Sequence, residues 1–248
     1  MMRVLVVNDD GIEAEGIYRL AKMAKELGEV WVVAPDSQCS AMSHRITLHE
    51  DILVRPAEFA VEGVTAYRIG GTPADCVKVA LTYLLPEKPD VIFSGINRGY
   101  NAGIDVLYSG TVGAAMEGIS NGIPSIAFSN EANDVYDVAD HYLLSITKEL
   151  LAQKLPANQM WNVNFPGCTL TELKGVLKGR TLGQTQFYLD YYEKKEHGNG
   201  SFSLTPVGIS VTKGEEGTDI KALLDCYISV GTITNEALWE RNENDSDL

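Results

Sequence analysis

The chain has 248 residues, 45% of them hydrophobic, and a formal net charge of −14 from 34 acidic and 20 basic side chains. That length and apolar content suit one large folded domain, or a domain with an appendage, and exclude global disorder. The acid excess argues against a nucleic-acid polymer or an anionic membrane surface as partner, so any phosphate must be attracted by a metal ion or a helix N-terminus.

The first element predicted is a strand at Val4–Val7, a short Val-rich apolar run of the kind buried on both faces. Ile17, Leu20, Ala21, Ala24 and Leu27 then recur at helical spacing, with Gly28 expected as the C-terminal cap. Val30–Val33 reads as a second buried strand, and Ile46–Val54 with Val64–Ile69 as a β-rich, hairpin-like excursion. Thr72-Pro73-Ala74-Asp75 opens a helix, with Thr72 as N-cap, Pro73 in the first turn and Asp75 at the positive end. Strands follow at Val91–Ser94, Ser125–Phe128 and Trp161–Phe165, alternating with helices at Gly110–Ser120 and His141–Leu155. This alternation predicts an α/β fold, a Rossmann-like, mostly parallel sheet with flanking helices, over residues 1–170. From 171 to 240 the pattern turns β-rich. The aromatic, charged stretch Phe187–Lys195 and the turn His197–Gly200 predict a hairpin arm suited to oligomerisation. The polar run Asn242–Leu248 is expected to fray.

Cys39, Cys76, Cys168 and Cys226 form no C-x-x-C pair and lie near no histidine cluster. They read as reduced, structural thiols in a cytoplasmic protein, not as a zinc site. No signal peptide and no membrane span of about 18 apolar residues is expected.

Ligands of open parallel sheets bind at the carboxyl ends of the strands. The first strand ends in Asn8-Asp9-Asp10-Gly11. Adjacent carboxylates there repel each other and lose hydration, which a divalent cation would relieve; the alternative is an ordinary acidic turn. Asn97 and Asn101 sit among Gly95, Gly99 and Gly103, either as a plain glycine-rich loop or as amides facing a metal and a phosphate. Ser109-Gly110-Thr111 precede a helix, as N-cap, oxyanion cradle, or both. A P-loop and a G-x-G-x-x-G after the first strand are both missing, which disfavours a P-loop NTPase and a dinucleotide enzyme.

In their order along the chain these segments resemble the SurE family of survival-protein nucleotidases. The likeness rests on Val6–Gly11, Ala34-Pro35-Asp36, Ser40, His44–Leu48, Gly71–Val77, Ser94–Asn101, Tyr108–Gly118, Asn162–Pro166 and Gly217-Thr218-Asp219. The resemblance implies a metal-dependent phosphatase of nucleoside 5′- and 3′-monophosphates, with possible action on short polyphosphate. Carried over position by position, it places one Mg²⁺ or Mn²⁺ per subunit on Asp9, Asp10, Ser40 and Asn97, an all-oxygen set. Asp9 or Asp10 would accept the proton of the attacking water. Asn97, Asn101, Ser109, Gly110 and Thr111 would face the substrate phosphate. It also implies a homodimer or homotetramer. The chain departs from the family pattern after the serine, where Ala41 replaces a glycine and Ser43 becomes a rival ligand. Cys39 reads as structural, and His44 as a hydrogen-bond donor near the site or as a brace for its loop. The competing functional class is a non-catalytic Mg²⁺-binding module, either phosphorylation-dependent signalling or nucleotide binding, because receiver domains also carry an acidic pair after their first strand.

Overall fold

The computed structural model describes residues 1–238; the tail Asn242–Leu248 lies outside the described residues. The alternating pattern forms strands β1 (Met2–Val7), β2 (Gly28–Pro35), β3 (Val54–Pro56), β4 (Val64–Ile69), β5 (Val91–Arg98), β6 (Ser125–Asn130) and β7 (Gln159–Phe165). The helices between them are α1 (Glu15–Lys25), α2 (Pro73–Val79), α3 (Gly110–Ser120) and α4 (Asp137–Leu151). The C-terminal third adds β8 (Gly175–Arg180), β9 (Tyr188–Glu196), β10 (Phe202–Ser210), α5 (Asp219–Leu224) and β11 (Tyr227–Thr234).

One nine-stranded sheet runs in the order β3-β4-β2-β1-β5-β6-β7-β11-β8. Strands β4, β2, β1, β5, β6 and β7 are mutually parallel, and β3 and β11 pair antiparallel with β4 and β7. Because β1 lies between β2 and β5, the chain winds outward one way from β1 and the other way from β5. The crevice outside their carboxyl ends is therefore the switch point where ligands bind in such sheets. The central strands are buried on both faces: Val4, Val6, Phe93, Phe128 and Phe165 pack with α1 and α4 on one side, and Leu5, Val7, Ile92 and Ile69 with α2 on the other. Among the described residues no helix is long and apolar enough to cross a membrane.

Three expectations need correction. Helix α1 ends at Lys25 with Glu26 as its cap, and Gly28 instead begins β2. A Cβ on Gly28 would lie 1.9 Å from the Met2 carbonyl oxygen, so close strand approach, not capping, demands that glycine. Of Ile46–Val54 only Val54 is in a strand; the preceding residues run as loop, and Thr47 is bound to the Asp75 carboxylate. Helix α4 begins and ends four residues earlier than the apolar spacing suggests, with Asp137 and Asp140 in its first turn. The expected C-terminal hairpin arm is present as the separate two-stranded sheet of β9 and β10, while β8 and β11 extend the main sheet. The hairpin carries exposed Leu189, Tyr191, Tyr192, Phe202, Leu204 and Ile209.

Candidate metal and phosphate site

Asp9 and Asp10 sit where β1 breaks into a turn. The Asn8 side chain closes that turn, its amide donating to Gly11 O at 2.8 Å and its oxygen accepting from Gly11 N–H at 3.3 Å. Gly11 takes φ +99°, a conformation open to glycine. The turn removes the strand alternation that would send neighbouring carboxylates to opposite faces.

Asp9 is only 3% exposed. Thr111 holds both its oxygens, the hydroxyl donating to Oδ1 at 2.6 Å and the N–H to Oδ2 at 3.2 Å. Burial, reinforced by the charge of Asp10, nonetheless pushes its carboxyl up to about 6. Asp10 is half-buried and receives the Arg98 N–H on Oδ2 at 2.9 Å. Burial raises its carboxyl too, against the lowering effect of that N–H. The guanidinium of Arg98 is engaged elsewhere, forked onto Asp134 at 2.8 and 3.2 Å. Two adjacent carboxyls raised by burial, with the neighbouring guanidinium committed to another acid, lack the positive charge they need.

The remaining candidate ligands come from two further strand ends. The Cys39 N–H donates to Asp9 O at 2.7 Å and thereby brings Ser40 to the rim of the same crevice. Asn97, near the end of β5, donates from its amide nitrogen to Gly99 O at 2.8 Å, which leaves the amide oxygen for a cation. Ser43 is no rival to Ser40, because its hydroxyl donates to Leu107 O at 2.8 Å. The missing glycine after Ser40 is answered by the backbone: Ala41 adopts φ +56°, the left-handed conformation that glycine takes most cheaply. Among the described residues no group of three or more His, Cys, Asp and Glu could hold a metal. The candidate set has two carboxylates and is completed by a hydroxyl and an amide oxygen, chemistry that fits a hard, oxygen-seeking divalent ion.

Asp9, Ser40, Asn97, Asn101 and Ser109 line one open cleft of about 470 Å³. Ser109 caps α3, its hydroxyl oxygen accepting the Val112 N–H at 3.0 Å, so the positive end of that helix meets the cleft. Gly110 packs directly on the acid: a Cβ there would stand 2.9 Å from Asp9 Cβ and 3.1 Å from Oδ2. Two expected phosphate contacts have other commitments. The Thr111 hydroxyl is spent on Asp9, and Asn101 donates from its amide to Ser129 Oγ at 2.8 Å. The buried Asn162 and Asn164 brace the Asn101 backbone.

Sequence reasoning missed the outer wall of the cleft. Tyr100, Asp105, Tyr108, Gln186, Tyr188 and Asp190 line it, three of them from the root of the hairpin. Asp105 accepts the N–H groups of Phe187 and Tyr188 at 2.8 and 3.0 Å, and the Tyr188 hydroxyl accepts the Tyr100 N–H at 3.1 Å. No short motif joins positions some 80 residues apart. His44 proves to be a brace, its ring at 2.8 Å from Glu117 of α3. Cys39 is buried and its thiol faces the Ser37 and Gly71 carbonyls. Asp75 forms a capping box with Thr72, and Asp219 accepts the N–H groups of Gly103, Gly183 and Ile220.

Comparison with known proteins gives a consistent picture. The family model described as Survival protein SurE matches residues 4–187. The 5'-nucleotidase SurE of Alkaliphilus metalliredigens is 40% identical over 236 residues, covering 94% of this chain and 92% of that relative. The 5'-nucleotidase SurE of Thermosipho melanesiensis is 39% identical, covering 98% of this chain and 96% of its own length. Among solved structures, the SurE protein of Aquifex aeolicus superposes with a TM-score of 0.79 at 36% identity, covering 94% of this chain and 93% of that one.

Proposed function

The chain belongs to the SurE family, and on that premise we propose that it is a divalent-metal-dependent 5'-nucleotidase that hydrolyses nucleoside monophosphates to nucleoside and phosphate. The observation that carries the reading is the buried, doubly raised Asp9–Asp10 pair beside the helix N-terminus at Ser109. It joins a demand for a cation to a seat for a phosphate in one cleft. The relatives' shared name, 5'-nucleotidase, supports the reaction class, and no observation favours the signalling or non-catalytic alternative.

In this reading Asp9, Asp10, Ser40 and Asn97 hold one Mg²⁺ or Mn²⁺ per subunit. When bound, the ion supplies Lewis-acid polarisation of the phosphate and acidification of water. Asp9 or Asp10 accepts the proton of the attacking water. The Thr111 donors keep the Asp9 carboxylate oriented, and the N–H of Arg98 does the same for Asp10. Ser109, Gly110 and the first turn of α3 face the phosphate oxygens, where a helix dipole favours negative charge. Asn97 and Asn101 complete the polar wall. Action on 3′-monophosphates and short polyphosphate is part of the proposal. So is assembly into a homodimer or homotetramer through the hairpin, supported by its exposed apolar residues.

The test is phosphate release from a panel of nucleoside 5′- and 3′-monophosphates and short polyphosphate, with and without chelator. Loss of turnover on metal removal and recovery with Mg²⁺ or Mn²⁺ is expected. Turnover that survives complete metal removal overturns the metal assignment, and no phosphate release from any monophosphate overturns the whole reading.

A further inference from the structure

We infer that Cys168 and Cys226 are a site of oxidative modification, closing a reversible intramolecular disulfide when the protein meets a small-molecule disulfide such as oxidised glutathione. Strands β7 and β11 pair antiparallel, with Ser229 opposite Asn164. Strand β11 lies between β7 and β8, so the 166–174 connection that carries Cys168 passes the start of β11, which Cys226 immediately precedes. The turn after Cys168 is stitched to the same place, the Lys174 N–H donating to Cys226 O at 3.0 Å. After burial, Cys226 is the neighbour that does most to raise the Cys168 thiol. Both cysteines are free and only partly buried, whereas Cys39 and Cys76 are buried and out of reach of a reagent as large as glutathione. Cys226 follows the C-cap of α5 with φ +61°, a position at which glycine is the usual occupant.

The chemistry balances as two exchanges. One cysteine thiolate attacks the glutathione disulfide, forming a protein–glutathione mixed disulfide and releasing one glutathione thiolate. The second cysteine loses its proton and attacks the protein sulfur of that mixed disulfide, expelling the second glutathione thiolate. Two electrons pass from the cysteine pair to glutathione, and the two protons end on its thiols. Burial, with Cys226 alongside, pushes the Cys168 thiol up to about 11, so its thiolate is scarce near neutral pH.

The bond would join two supports of residues 99–103, a segment that helps line the cleft. Gly167, next to Cys168, donates its N–H to Glu131 Oε2 at 3.1 Å and to the Tyr100 hydroxyl at 3.3 Å. Asp219, on the helix before Cys226, accepts the Gly103 N–H at 2.8 Å. A disulfide between 168 and 226 closes β8, the hairpin and α5 into one loop, which restricts the unfolded chain.

Incubation of the whole protein with oxidised glutathione, then thiol titration after denaturation, tests the proposal. Reactive thiols should fall from four to two, a peptide carrying Cys168 should be linked to one carrying Cys226, and dithiothreitol should restore all four. The oxidised protein should melt several degrees higher. Cys168→Ser and Cys226→Ser should each retain a glutathione adduct on the surviving partner and show no such gain. Four titratable thiols after oxidation, stable adducts on both cysteines of the wild type, or links involving Cys39, Cys76 or a second chain would overturn the assignment.

Discussion

Replacing Asp9 by Asn separates what this acid costs the fold from what it does in the site. Burial and the Asp10 charge hold the Asp9 carboxyl at about 6 in place of 3.8, a difference of about 3 kcal/mol between its ionised and neutral forms. The sign follows from linkage. The folded-state value lies above the unfolded one, so native stability is fully present below 3.8 and declines as pH rises through about 6. Without metal near pH 7.5, the wild type therefore carries an ionised, buried Asp9 against a penalty of about 3 kcal/mol. The variant escapes that penalty but weakens the two Thr111 bonds, a loss of about 1–2 kcal/mol. The net expectation is a variant about 1–2 kcal/mol more stable, or about 3–6 °C in melting temperature for a chain of this size. The assay is thermal unfolding of both proteins in chelator near pH 7.5 and near pH 5, with turnover measured in parallel. The advantage should shrink at the lower pH, turnover should be almost abolished, and Mg²⁺ or Mn²⁺ should raise the melting temperature of the wild type alone. A variant that melts below the wild type in chelator near pH 7.5, or a gap that does not change with pH, refutes the reasoning.

Three other substitutions probe the supports. Ala41→Gly relieves a left-handed alanine and should stabilise by about 1 kcal/mol in denaturant titration with turnover retained; a destabilised protein would show that the loop does not depend on that conformation. Gly110→Ala forces a methyl against Asp9 and Pro73 and should cost about 1–3 kcal/mol and weaken metal binding by calorimetry, whereas wild-type affinity would deny the close packing. Asp75→Ala removes the capping box and the bonds to Thr47, for a loss of about 2 kcal/mol near neutral pH. Burial raises the Asp75 carboxyl, but the hydrogen bonds from Thr72 and Thr47 outweigh it and hold it below 3.8. Its contribution is thus present above 3.8 and lost as pH falls through the lowered value. The stability gap between wild type and variant should close in acid, and a gap of constant size would contradict this origin.

Much of this architecture is legible along the chain because parallel strands buried on both faces must be continuous apolar runs. Val4–Val7, Val91–Phe93 and Ser125–Phe128 carry that mark. The candidate ligands were legible for a related reason, since strand ends such as Asn8–Gly11 and Gly95–Asn101 collect oxygen-bearing side chains and glycines where regular pairing stops. Gly28 misled because helix capping and close strand contact both call for a residue without a side chain, and only the Met2 carbonyl beside it decides between them. Ile46–Leu53 misled because apolar and β-branched residues also suit a loop, and here Asp75 claims the Thr47 backbone.

By itself the sequence determined the alternation of strands and helices, the acidic turn after the first strand and the ordered motifs that resemble one family. These depend on local periodicity, caps and turn chemistry, which act over a few residues. Only the tertiary structure decided how those pieces serve the site. It spent the Thr111 hydroxyl on Asp9, gave Ser43 to Leu107 and so left Ser40 at the rim, and set the left-handed conformation of Ala41. It also drew Tyr188 and Asp190 from the hairpin root into the wall of the cleft. Hydrogen bonds and burial between residues tens of positions apart are set by how strands and helices pack, and leave no periodic trace in the chain.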